Sequence, residues 1–322
     1  MENKAILQFR RLGIITITAV YFLILVGGIV RASGAGMGCP DWPTCFGQWI
    51  PPTDVSQLPS NYQEIYANRG YENTQFNPVK TWTEYTNRLA GMSIGILIFL
   101  TAWSSRIYLK TDKPIFYGAL SVFFLVGFQG WLGSQVVASN LKPFMITLHM
   151  LLALVIVAML IWVIARSQRE TLVQLDSAPI AKVKNLFIVA MVLTLIQISM
   201  GTQVREAVDF IANEHKYIDR QFWRDSFPMI FYIHRSFSAL VLLFNLWLGW
   251  TITRNLPGDH LIVRCSYGLV ITILTAIIAG MSLDRLGFPA FAQPIHLLMA
   301  NLIFGMQFFI FIGLHYSSKN SA

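Results

Sequence analysis

Eight stretches of this chain are each long and apolar enough to cross a bilayer, and this constrains the fold more than any other feature. A spanning helix needs about 20 mainly apolar residues. Runs of that kind lie at roughly 12–31, 84–106, 115–137, 144–165, 185–205, 228–251, 264–283 and 292–315. Composition agrees. The chain is 55% hydrophobic and 12% charged, a balance that would leave a soluble domain with large exposed apolar patches. The expected fold is an all-α integral membrane protein with eight transmembrane helices. The first run is a full span followed by Arg31-Ala32-Ser33-Gly34, without a small-residue cleavage pattern, so no cleavable signal peptide is expected.

Basic residues near short loops give the orientation. Lys4, Arg10 and Arg11 lie at the start; Arg106, Lys110 and Lys113 follow the second run. Arg166, Arg169, Lys182 and Lys184 follow the fourth, and Arg254 and Arg264 follow the sixth. The two short loops on the opposite face carry only Lys142 and Arg285. Both termini are expected in the cytoplasm. The net charge of +8 calls for no nucleic acid, because cytoplasmic lysines and arginines meet anionic lipid. Acidic side chains gather outside instead: Asp41, Asp54, Glu64, Glu72, Glu206, Asp209, Glu214, Asp219 and Asp225.

One spacing is written twice. His149 lies 62 residues after Asn87, and His296 lies 62 after His234. Gly133 precedes His149 by 16 residues, and Gly280 precedes His296 by 16. Gly27-Gly28-Ile29-Val30-Arg31 matches Gly201-Thr202-Gln203-Val204-Arg205 in the same register. An even number of spans per copy gives both copies one orientation, so this is a parallel repeat. The expected units are two pseudo-symmetric four-helix bundles, 1–170 and 171–322. The register leaves 27 extra residues in the first outer loop. That loop, 32–83, is of a length usually tied to function or to a lid.

His149, His234 and His296 all fall about two turns inside the outer end of a span. Pro143 and Pro228 each stand six residues before a histidine, which suits proline in a helix's first turn. Imidazoles at equal depth on parallel helices can face one plane. Helices 8–10 Å apart leave room for a flat macrocycle held edge-on, and imidazole is a common axial ligand of haem iron. A proton relay, or a hydrogen bond from helix to helix, is the competing reading of any single intramembrane histidine. Zinc or copper fits less well, since no cysteine or second carboxylate joins the histidines of the second half.

The two copies differ. Asn87 stands where the repeat predicts a histidine, and asparagine binds haem iron poorly. Glu84 lies one turn earlier on the same helical face; its counterpart is Phe231. A carboxylate there is either an interfacial residue in contact with water or a proton acceptor and charge stabiliser beside a reacting group. Two imidazoles saturate an iron and suit electron transfer; one imidazole with an acid nearby leaves an open position and suits chemistry. Arg31 and Arg205 end their spans on the outer side, where guanidinium forks could bind haem carboxylates or anchor the interface by snorkelling. Arg88 and Arg235 each follow a ligand position by one residue, about 100° around the helix, within reach of such a carboxylate or of a neighbouring helix. Cys39 and Cys45 flank five residues of the first outer loop. In an oxidising compartment they can bridge; free or redox-cycling thiols are the alternatives. Cys265 reads as a small apolar packing residue.

Together these residues resemble the haem A synthase family of cytochrome oxidase assembly. The resemblance rests on Arg31-Ala32-Ser33-Gly34-Ala35-Gly36-Met37-Gly38-Cys39-Pro40-Asp41-Trp42-Pro43, on Glu84-Tyr85-Thr86-Asn87-Arg88, and on His149, His234 and His296, and it covers nearly the whole chain. It implies a cofactor haem b held by His234 and His296, with Arg205 and Arg235 nearby. It implies a substrate haem O in the first half, with its C8 methyl oxidised through an alcohol to the formyl group of haem A. Glu84 would be catalytic there, and His149, Asn87, Arg31 and Arg88 would bind the substrate haem. The family's usual histidine is Asn87 here, so the iron would attach through His149. Expected partners are haem O and haem A, a haem O synthase, an electron acceptor or quinone, the lipid bilayer and a second copy of the chain. The expected location is the bacterial inner membrane, with the haem sites toward the periplasm. A quinol-linked haem b electron-transfer subunit and a haem transporter or chaperone are the competing functional classes.

Overall fold

A computed structural model describes residues 4–171, 178–214, 223, 225–258 and 260–318. Asp219, among the acidic residues expected outside, lies outside the described residues. Helices follow the apolar runs: α1 (Lys4–Ala32), α3 (Pro78–Ser104), α4 (Lys113–Ala138), α5 (Pro143–Ser167), α6 (Ala178–Glu214), α7 (Met229–Asn255), α8 (Leu261–Arg285) and α9 (Ala292–Ser318), with a single turn α2 (Tyr62–Ile65) in the first long loop. Among the described residues, eight helices are long and apolar enough to cross a membrane and no β-strand forms. Phe22, Phe124, Leu243 and Ile271 point outward from different helices, each more than half exposed, as a lipid-facing belt requires. The protein is an all-α multi-pass membrane protein.

Helix ends differ from the apolar runs because polar residues cap and extend them. The second span begins at Pro78 rather than near residue 84. Asn77 accepts the Lys80 N–H at 3.1 Å as N-cap, and Pro78 occupies the first helical position, where its missing N–H costs nothing. Glu84 therefore sits inside the helix and is only 4% exposed, not at a wet boundary. Pro143 opens α5 in the expected way. Pro228 instead occupies the N-cap of α7.

The helix contacts close two rings. In the first, α1 meets α3, α3 meets α4, α4 meets α5, and α5 meets α1; in the second, α6, α7, α8 and α9 follow the same order. The rings join through α1 with α9, α5 with α9, and α5 with α6. Small residues let the joining helices approach closely. A Cβ added at Gly28 would lie 3.0 Å from the Pro294 backbone, and one at Gly305 would collide with the Tyr21 hydroxyl. Val20, Ile98, Val122, Val157 and Leu160 fill the first ring; Phe187, Leu248, Ile262, Leu269 and Ile310 fill the second. At the end away from the long loop, Asp112 before α4 binds Arg166 and Arg169 at 2.9 and 3.0 Å, tying the α4 and α5 termini together.

Candidate functional site

α7 and α9 face each other across the second ring, and their histidines meet at its centre. The ring centroids of His234 and His296 are 6.3 Å apart, with planes 73° from parallel. An imidazole nitrogen sits about 2 Å from a bound metal and about 1.1 Å from its own ring centre, so two axial rings on one iron have centroids about 6–6.5 Å apart. The pair fits a haem iron. His296 Nδ1 lies 2.8 Å from the Ala276 carbonyl oxygen. Donation there fixes the tautomer that leaves Nε2 free for a metal.

Each histidine lies edge-on against a glycine of the preceding helix. A Cβ at Gly133, Gly201 or Gly280 would stand 3.4, 3.2 or 3.2 Å from the Cε1 atom of His149, His234 or His296. One helical turn inward from two of these glycines, a glutamine braces the next helix. Gln129 donates to the His149 carbonyl at 2.9 Å, and Gln197 to the His234 carbonyl at 3.0 Å. In the third pair the residue at that position is Ala276, whose carbonyl takes the imidazole itself. The glycine spacing was visible in the sequence. The glutamines were not singled out, although both lie four residues before their glycine.

Above the first ring the long loop folds onto α3. Cys39 and Cys45 form a disulfide with Cα atoms 4.8 Å apart, and both residues are fully buried. Asp41 holds the bridged turn, accepting the Phe46 and Gly47 N–H groups at 2.6 and 2.8 Å. Phe46 plugs a cage of Tyr62, Tyr66, Tyr71 and Phe76, with ring centroids 5.3–6.4 Å away. Glu84 reaches this turn from below: its Oε2 accepts the Cys39 N–H at 2.8 Å. Its Oε1 pairs with Arg88 one turn on. The Arg88 guanidinium also donates to the carbonyls of Asp41 (2.7 Å), Thr44 (3.0 Å) and Cys39 (3.2 Å). All five of its N–H groups thus go to protein oxygens. A cavity of ≈ 370 Å³ lies between this turn and the end of α4, lined by Trp42, Tyr66, Arg69, Ser134 and Gln135 among others. In the second half Phe231 replaces Glu84 and packs with Phe227, Trp223 and Phe288, so the charged clamp has an aromatic counterpart.

Arg31 and Arg205, matched in the repeat, converge on one carboxylate that sequence reading left among the outer acidic residues. Asp209 Oδ2 is 2.6 Å from Arg31, and Oδ1 is 3.0 Å from Arg205. Arg205 also donates to Gln293 at the start of α9. Two cations share one anion here, a site with positive charge to spare. Arg235 lies 3.8 Å from Asp284 and beside the Tyr232 ring.

Fold and site together define a polytopic helical membrane protein with histidines paired inside the span. A family model described as cytochrome oxidase assembly protein (COX15-CtaA) matches residues 10–308. The chain belongs to that family. It is 26% identical to the Heme A synthase of Methylobacterium radiotolerans, over 89% of this chain and 84% of the relative. It is 26% identical to the Heme A synthase of Shouchella clausii, over 82% of this chain and 83% of the relative. The match to the Heme A synthase of Shewanella oneidensis is 30% identical and spans 58% of this chain and 54% of the relative.

Proposed function

We propose that this protein is a haem A synthase, oxidising the C8 methyl of haem O through an alcohol to the formyl group of haem A. The observation that carries the reading is the His234–His296 pair, 6.3 Å apart across a four-helix ring, in a chain of this family. In this reading the chain is a duplication, 1–170 binding substrate haem O and 171–322 holding a resident haem b. It sits in a bacterial inner membrane with both termini in the cytoplasm and the haem sites toward the periplasm. The basic loops described above support that orientation.

His234 and His296 hold the haem b iron, and a haem held by two imidazoles carries electrons one at a time. Arg31 and Arg205 offer guanidinium donors to haem carboxylates near the join of the halves; Arg235 lies one residue beyond the His234 ligand. His149 alone attaches the substrate iron. With water as the oxygen donor, methyl to alcohol and alcohol to aldehyde each release two electrons and two protons. Glu84 is the carboxylate that accepts a proton or steadies developing charge. Arg88, its donors engaged by Glu84 and the disulfide turn, positions that carboxylate rather than binding a haem carboxylate. Electrons leave to an acceptor or quinone, and haem O arrives from a haem O synthase.

The test is co-expression with a haem O synthase followed by analysis of extracted haems. Hydroxylated or formyl haem is expected. Haem b alone, with haem O supply verified, would instead support the electron-transfer subunit.

A further inference from the structure

Three imidazoles share one packing device, and the fourth position breaks it. His149, His234 and His296 each lay the Cε1 edge on Gly133, Gly201 or Gly280 of the preceding helix. The repeat register carries that glycine to Gly27 in α1 and the ring to Asn87 in α3, and α1 and α3 lie against each other. Here the edge contact is missing. A Cβ built on Gly27 meets nothing within 4 Å. Asn87 Oδ1 is buried and has no hydrogen-bond partner. Buried polar atoms in native proteins nearly always have a partner, so an orphan calls for one.

A carboxamide is shorter than an imidazole and is a weak ligand for iron. Where the second half sets a histidine ring against its glycine, the first half has open space beside Gly27 and, at the matching position of α3, an unsatisfied amide oxygen. We propose that the space beside Gly27 and Asn87 is a binding site for a water molecule, which donates a hydrogen bond to Asn87 Oδ1. The proposal rests on the haem O reading: the gap lies on the face of the substrate iron opposite His149. Gly27 supplies the room. Asn87 Oδ1 accepts that hydrogen bond and is not an iron ligand. The second half, with both faces taken by His234 and His296, offers no such place.

The test uses carbon monoxide on reduced, purified protein supplied with haem O. Each variant is read by its bound carbon monoxide, by the carbon–oxygen stretching frequency, and by the low-spin spectrum of the His234–His296 haem, which reports folding. The native protein is expected to bind carbon monoxide at one haem only. Asn87→His should turn that haem low-spin and reduce carbon monoxide binding at least tenfold. Gly27→Leu should weaken binding about tenfold by filling the gap, without making the haem low-spin. Asn87→Val should keep binding but shift the stretching frequency. His149→Ala should abolish the carbon monoxide-reactive haem. If His149→Ala leaves it in place, or no second haem is taken up, the assignment of the first half falls, and this inference with it. If His149→Ala removes it while Asn87→His and Gly27→Leu bind like the native protein, the inference alone is overturned.

Discussion

Glu84 and Cys39, 45 residues apart in sequence, are joined by a 2.8 Å hydrogen bond from the Cys39 N–H to a buried carboxylate oxygen. The carboxylate that this reading makes catalytic is thus also the floor of the disulfide turn. Arg88 closes the arrangement by binding Glu84 and three carbonyls of that turn.

The first prediction separates these two roles. The Glu84 and Arg88 side chains are 5% and 14% exposed, so removing one leaves the other a buried, unpaired charge at a cost of about 3–5 kcal/mol. Arg88→Ala should therefore destabilise more than the double variant with Glu84→Gln. Glu84→Gln keeps an oxygen for the Cys39 N–H and leaves Arg88 its three loop carbonyls but not its counter-charge, so it should lower the melting temperature while the loop stays folded, and suppress formyl haem. Wild-type turnover with Glu84→Gln would reduce Glu84 to a structural residue. Thermal melts and haem extraction read the two effects independently.

A second prediction concerns the imidazole pair. His234→Ala or His296→Ala should remove the six-coordinate low-spin spectrum, while Glu84→Gln leaves it intact. An unchanged spectrum in either histidine variant refutes the ligand assignment. Optical spectra of purified protein decide this before any activity is measured.

The glycines opposite the rings give a third. A Cβ at Gly280 would already stand 3.2 Å from His296 Cε1, and the ring is held to the Ala276 carbonyl. Gly280→Val should push the imidazole off its position and lower haem content severalfold. Overpacking of this kind costs about 1–3 kcal/mol. Full haem occupancy with an unaltered spectrum would show that the contact is loose.

The fourth concerns the outer loop. Tyr71 donates its hydroxyl to the Met37 carbonyl at 2.7 Å. Burial first, and then the nearby Glu84 carboxylate, push its phenol above the usual range. An unfolded tyrosine ionises near pH 10, at about its reference value. The folded loop keeps the proton at a pH where the unfolded loop has lost it, so this contribution is complete below about pH 10 and fades as pH rises through the folded value. Protease resistance of the loop should decline in alkali, and Tyr71→Phe should flatten that decline. A native loop equally resistant at pH 9 and pH 11 would count against it.

The spans and the histidine positions were legible in the sequence because both follow from local signals: apolar run length, and a spacing repeated at a fixed offset. What escaped was set by contacts distant in sequence. Glu84 read as a boundary residue because its apolar run starts there, whereas Asn77 and Pro78 begin the helix earlier. Arg31 and Arg205 read as separate features of two halves. Their shared partner Asp209 lies four residues beyond one and 178 beyond the other. Arg88 was read by its distance from Asn87, yet its donors go to a turn more than 40 residues earlier.

Asp209 binds an arginine from α1 and another from its own helix α6, one from each ring. The two rings are consequently not free to tilt apart at that end without separating charge. This partly exposed cluster adds a polar tie to the helix contacts that join the rings. An anion that drew either arginine away would loosen that tie.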